Sequence, residues 1–131
     1  MLHAALMATL YLSALASAAP AADCGDEQTQ TDMNLCAARD YADVERQLNE
    51  VYREYRKRLS DDQKRQLKDA QRAWIEFRDR SCDFESSGVE GGSVYPLIRN
   101  SCLAGMTRAR LEQLDVLARC EEGDLSCPAP K

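Results

Sequence analysis

The chain has 131 residues, 17 of them basic and 22 acidic, for a formal net charge of −5, with six cysteines and a single histidine. That negative balance repels phosphate and makes nucleic acid a poor partner. The histidine is His3, inside the first twenty-two residues. A chain without that segment has no imidazole for general-base work or metal ligation near neutral pH.

Residues 1–22 contain no Lys, Arg, Asp or Glu, and only the amino terminus and His3 can carry positive charge there. They run apolar from Ala4 to Leu15 and then small, through Ala16-Ser17-Ala18 and Ala19-Pro20-Ala21. This is the form of a secretory signal, too short to span a bilayer. The expectation is a leader over 1–21 and an exported product, periplasmic or secreted, beginning near Ala19 or Ala22. Asp23 precedes Cys24, so no lipid anchor is expected.

The remaining stretch of about 109 residues suits one domain with one core. All six cysteines lie in it: Cys24, Cys36, Cys82, Cys102, Cys120 and Cys127. An even count in a small exported chain reads as three disulfides. A metal site is the rival, but there is no C-x-x-C and no histidine to support one.

Three segments show helical period, giving an all-α, small antiparallel three-helix bundle over 22–119 and a polar tail over 120–131. In the first, Tyr41, Val44, Leu48, Val51, Tyr55 and Leu59 recur at steps of three and four. Ser60-Asp61-Asp62-Gln63 has the form of a capping box, with two acids at the positive end of a new helix. Leu67, Ala70, Trp74, Phe77 and Phe84 supply the second stripe. The run Gly88–Ser93 breaks it, and Ser93 reads as the N-cap of a third helix with Pro96 in its first turn. That helix buries Leu97, Ala104, Leu111, Leu114 and Leu117.

A single unbroken helix through Ser60 is the alternative, and the cysteines oppose it. If the chain reverses near residue 60, Cys36 faces position 84, two residues from Cys82, or about 3 Å of axial rise. A straight helix would hold those cysteines far beyond the separation of about 4.4–6.8 Å that a bridge allows. The pairing expected is Cys36–Cys82, Cys24–Cys102 and Cys120–Cys127, with Cys24–Cys82 and Cys36–Cys102 as the alternative for the first two.

No catalytic, cofactor or metal site emerges. The carboxylates fall on helix faces beside bases, as in Glu54–Arg58, Asp61–Arg65 and Glu76–Arg80, which is surface helix support. Three helices offer little concavity for a catalytic acid, so the chain reads as a non-enzyme. Trp74 continues an apolar stripe, and Arg78 one turn later falls near Tyr41 and Glu45, where it reads as a partly buried ion pair or carbonyl cap. Gly91-Gly92 reads as a helix–helix turn needing positive φ.

Cys24, Met33-Asn34-Leu35-Cys36, Tyr41, Leu48-Asn49, Tyr52, the run Gln71–Cys82, Gly91-Gly92-Ser93, Cys102, Thr107 and Arg110 together resemble the lysozyme-inhibitor LprI-like N-terminal domain family, over residues 24 to 114. Glu45 stands where that family more often has Asp, and Cys120 and Cys127 fall outside its four-cysteine pattern. The resemblance implies a bacterial exported helical domain, with lysozyme inhibition as the activity that names the family. Shared fold alone does not establish shared function.

The stretches 23–35 and 83–93 hold seven acids (Asp23, Asp26, Glu27, Asp32, Asp83, Glu85, Glu90) and no Lys or Arg. The far hairpin, 53–72, has eight bases against four acids, offset in part by Glu121, Glu122 and Asp124. An acidic end with a protruding loop suits a basic protein such as a lysozyme, and Glu85, Val89, Glu90, Gly91, Gly92 and Ser93 are the expected partner-binding residues. The alternative is an envelope adaptor with a different partner. Exposure among Phe84, Val89, Val94 and Tyr95 discriminates an interacting loop from a mere connector. Oligomeric state is left open.

Overall fold

The computed structural model describes residues 20–128; the expected leader lies almost wholly outside them. Three helices dominate: α1, Gln30–Arg56; α2, Asp61–Ser86; and α3, Tyr95–Ala118. At 27, 26 and 24 residues they run about 36–41 Å each. Short 3-10 turns occur at Cys24–Asp26 and Ser87–Val89, and no strand occurs among the described residues. The molecule is an all-α three-helix bundle stapled by disulfides.

Local chemistry sets the first corner. The Ser60 hydroxyl accepts from the Gln63 amide at 3.2 Å, and Gln63 Oε1 accepts from the Ser60 amide at 3.0 Å. This capping box satisfies two orphan amides at the start of α2 and rules out a continuous helix. Thr29 caps α1 in simpler fashion, accepting from the Asp32 amide at 3.1 Å.

The third helix starts differently from the sequence expectation. Val94, not Ser93, occupies its cap position, without a side-chain hydrogen bond, and Pro96 sits in the first turn. Ser93 is engaged elsewhere: its carbonyl accepts from Asn34 Nδ2 at 2.9 Å, across to α1.

Helix α3 is central, lying along much of α1 and over a shorter stretch of α2. Val44 and Leu48 meet Ala104, Leu111 and Leu114 in the core, with Tyr41, Val51, Tyr52, Leu67, Trp74 and Leu117 packed around them. The small Ala104 lets α1 and α3 approach closely.

The inner face of α2 is polar. Gln71, Arg78, Cys82 and Ser86 are its buried residues. Ala70, Phe77 and Phe84, expected in the apolar stripe, are exposed instead, Phe77 at 62% and Phe84 at 79%. Each residue turns the helix by about 100°. With Cys82 facing in, Phe84 points about 160° away, so the two cannot share the core.

The disulfides correct the expected pairing. Cys24 joins Cys36 and Cys82 joins Cys102, each at a Cα separation of 5.6 Å, and Cys120–Cys127 closes the tail at 5.8 Å. Equal height in the bundle was the basis for Cys36–Cys82, but azimuth decides. Cys82 is turned toward α3, its sulfur 3.7 Å from that of Met106. Cys36 is only half-buried, on the flank of α1 where the lead-in runs. The lead-in therefore folds back onto its own helix.

Surface pairs also shift register. Glu54 pairs with Lys57 at 2.6 Å and Asp61 with Lys64 at 3.6 Å, whereas Glu76–Arg80 forms as expected at 2.9 Å. Arg65 turns to Asp62, and Arg58 donates to the Ala118 carbonyl. That last contact holds the end of α3 against the far hairpin, and Gln63, donating to the Pro128 carbonyl, holds the tail there. No helix of the described residues is long and apolar enough to cross a membrane.

Candidate interaction surface

Asp32, Asp83, Glu85 and Glu90 are exposed near the end of the bundle where α1 and α3 begin and α2 finishes. Asp23, Asp26 and Glu27 are exposed too, but on the lead-in that folds back along α1, where Glu27 shares a cavity with Arg39, Arg46 and Arg108. Asp83 accepts from Arg99 at 2.8 Å. That contact holds the Arg99 guanidinium above its ordinary pKa, against the opposing effect of burial. Among the described residues no basic partner is recorded for Glu85, Glu90 or Asp32, so their field faces solvent.

The 87–94 loop is held from several sides. Ser86 Oγ donates to the Cys82 carbonyl at 2.6 Å and Ser87 Oγ to the Phe84 carbonyl at 2.7 Å, closing the last turn of α2. Gly91 takes the positive φ of 78° that the sequence anticipates. Gly92 does not, but a Cβ there would lie 3.1 Å from the Val89 carbonyl oxygen, too close for comfort. The Cys82–Cys102 bridge ties the end of α2, just before the loop, to α3, and the Asn34–Ser93 bond ties the loop itself to α1. Of the expected surface, Glu85, Glu90, Gly91, Gly92 and Ser93 are exposed and Val89 half-buried. Val94 and Tyr95 are half-buried too, while Phe84 stands out into solvent.

Sequence reasoning placed Phe84 in the apolar stripe of α2 and also named it among the four residues whose exposure discriminates; the structure decides for exposure. The overlooked signal was its spacing of two from Cys82. A bridged cysteine and a buried phenylalanine two residues apart are incompatible on one helix.

Below this end, a polar layer fixes α2 to the other helices. Arg78 is 4% exposed. It donates to Glu45 at 3.2 Å, to Asp79 at 2.9 Å and to Thr107 Oγ1 at 3.3 Å. Its guanidinium lies 5.4 Å from the Tyr41 ring centre and 5.2 Å from that of Trp74, with Arg110 at 5.8 Å from the same indole. Burial opposes the Arg78 charge, but its hydrogen bond to Asp79 and its neighbours' charges prevail and raise its pKa. Burial pushes the Tyr41 hydroxyl up to about 12, with Arg78 opposing and Glu45 adding to the rise. Trp74 is thus a packing residue held by two arginines, as the sequence reading favoured, and Arg78 is the expected ion pair with Glu45.

No cluster of His, Cys, Asp or Glu among the described residues is arranged to hold a metal. Glu54 and Asp124 are held below the ordinary carboxylate range, by hydrogen bonds to Lys57 and Ser126, the wrong direction for a general acid.

The family model described as "Lysozyme inhibitor LprI" matches residues 21–114. The chain belongs to the LprI lysozyme-inhibitor family. An uncharacterised protein of Rhizobium meliloti (strain 1021) is 34% identical over 116 residues, covering 79% of this chain and 84% of the relative. Among solved structures, the crystal structure of a DUF1311 family protein from Pseudomonas putida KT2440 superposes with a TM-score of 0.62 at 25% identity. It covers 76% of this chain and all of the other. LprI membership suggests a role in lysozyme inhibition, and with the disulfides it suggests an exported protein.

Proposed function

We propose that this protein is a non-enzymatic, exported inhibitor that presents the acidic looped end of its bundle to a lysozyme-type peptidoglycan hydrolase. The observation that carries the reading is Phe84: a large ring, 79% exposed, on the last turn of α2 between Asp83 and Glu85, just before a loop that carries Glu90 and is tied to α1. Exposed aromatics of this kind supply binding energy, while surrounding charge steers encounter and sharpens partner choice. Lysozymes are generally basic, which matches an acid collar. Because the loop is already fixed, little ordering entropy opposes docking.

A lysis assay with a basic c-type lysozyme, run beside calorimetric titration in low salt, tests the proposal. Inhibition with binding at micromolar or lower protein is expected, and no heat of binding at that concentration rejects it. A second reading, an envelope adaptor, draws on Phe77: its 62% exposure extends the apolar strip along α2 away from the acids. That reading predicts that removing Phe77 abolishes partner capture while leaving lysozyme unaffected.

A further inference from the structure

The lead-in segment runs along the flank of α1, pinned by the Cys24–Cys36 bridge. Between the two lies a cavity of about 450 Å³ whose charged lining is Glu27, Arg39, Asp40, Asp43, Arg46 and Arg108. Asp43 pairs with Arg46 at 2.9 Å near its rim. Deeper in, Asp40 and Arg108 form an ion pair at 2.8 Å, each side chain only 15% exposed. The backbone nitrogen of Ala22, which lines the same cavity, lies 3.4 Å from Asp40 Oδ1.

Ala22 directly follows Ala19-Pro20-Ala21, one of four places where small residues stand one and three positions before a scissile bond. We propose that the leader is removed after Ala21 and that the α-ammonium so created docks on Asp40, completing a three-member cluster with Arg108. An endopeptidase that accepts small residues before the bond adds water across Ala21–Ala22. Ala21 leaves with the new carboxylate, and Ala22 keeps the amine, which takes a proton at neutral pH. The neutral amide that now sits beside Asp40 becomes a cation in the same place. Cleavage after Ala18 instead would put the charge three residues upstream and leave the Ala22 amide neutral. Folding follows export, so the fold does not steer the cut. It provides a carboxylate for one product, and the Cys24–Cys36 bridge, formed in an oxidising compartment, holds that terminus in place.

A free α-amino group titrates near pH 7.7–8.0, roughly; Asp40, in direct contact, raises that value in the folded state, with Glu27 and Asp43 adding to the rise and Arg39, Arg46 and Arg108 opposing it from further away. The stabilisation is therefore complete below about pH 7.7 and is lost as pH rises through the folded value. Intact-mass measurement of the exported protein is expected to give a chain starting at Ala22; a product starting at Ala19 overturns the proposal. The Ala22 form is expected to melt about 2–5 °C above an Ala19 form at pH 6.5, the scale of a partly exposed ion pair in a small domain. The gap should close at pH 10 and in Asp40→Asn. Equal melting at pH 6.5, or a gap that survives Asp40→Asn, contradicts the docking. Should Asp40→Asn not fold, titration of the ¹⁵N-labelled Ala22 amine by NMR decides: a value above that of the Ala19 terminus is expected, and an equal or lower one overturns it.

Discussion

The two corners of the bundle are built by opposite means. The Ser60 corner is closed by its own neighbours, through the reciprocal Ser60–Gln63 bonds. The 87–94 corner has no helix cap from Ser93; a disulfide to α3 and an amide from α1 shape it from a distance. A locally coded corner needs nothing else from the molecule and can be plain connector. A corner fixed from outside can afford to leave Phe84 and its acids facing solvent, and that is where a binding surface is expected.

The largest expected effect separates the two at once. Replacing Cys82 and Cys102 by Ser should cost about 2–4 kcal/mol in denaturant unfolding and also weaken lysozyme inhibition. Replacing Cys120 and Cys127 should leave inhibition intact, because that ring lies at the far hairpin. Next, Arg78→Ala should cost about 2–4 kcal/mol by stranding Glu45 and Asp79, which keep some access to water. It should loosen α2 without touching the loop chemistry. Ser60→Ala should cost about 1 kcal/mol and leave binding unchanged, since only the local corner is altered. Reversing Glu85 and Glu90 to Lys should slow association by roughly three- to tenfold at low salt, with added salt narrowing the gap. An unaltered on-rate would tell against electrostatic steering at this end.

The polar layer gives a pH test. Burial pushes the Tyr41 hydroxyl up to about 12 in the fold, from the ordinary tyrosine value of about 10. Its contribution is whole below pH 10 and is lost as pH rises toward 12, because the unfolded chain sheds that proton first. Alkaline melting curves of Tyr41→Phe should be flatter over that interval; coincident curves would show that the hydroxyl does not govern it.

What the sequence made legible was written in local or one-face codes. The stripe of α1, the inner positions of α3 and the capping box at Ser60 each depend on residues within a few positions of one another. The face of α2 was not legible in this way, because two criteria conflict. Hydrophobicity puts Phe77 and Phe84 inside, whereas the demands of Arg78 and Cys82, known only once their distant partners Glu45, Thr107 and Cys102 are in place, turn that face outward. The cysteine pairing failed for a related reason: sequence gives height along an antiparallel bundle but not rotation about each helix. The acidic character of the looped end was legible from composition. Its aromatic centre was legible only as one of four candidates, Phe84, Val89, Val94 and Tyr95, of which Phe84 alone stands out into solvent.

The most direct test of the central claim is the affinity of Phe84→Ala for a basic lysozyme, measured beside its stability. An exposed anchor predicts binding weakened by at least about 2 kcal/mol, roughly 30-fold, with unfolding free energy changed by no more than about 0.5 kcal/mol. Undiminished inhibition by a fully folded Phe84→Ala protein would contradict the assignment of the looped end as the binding surface.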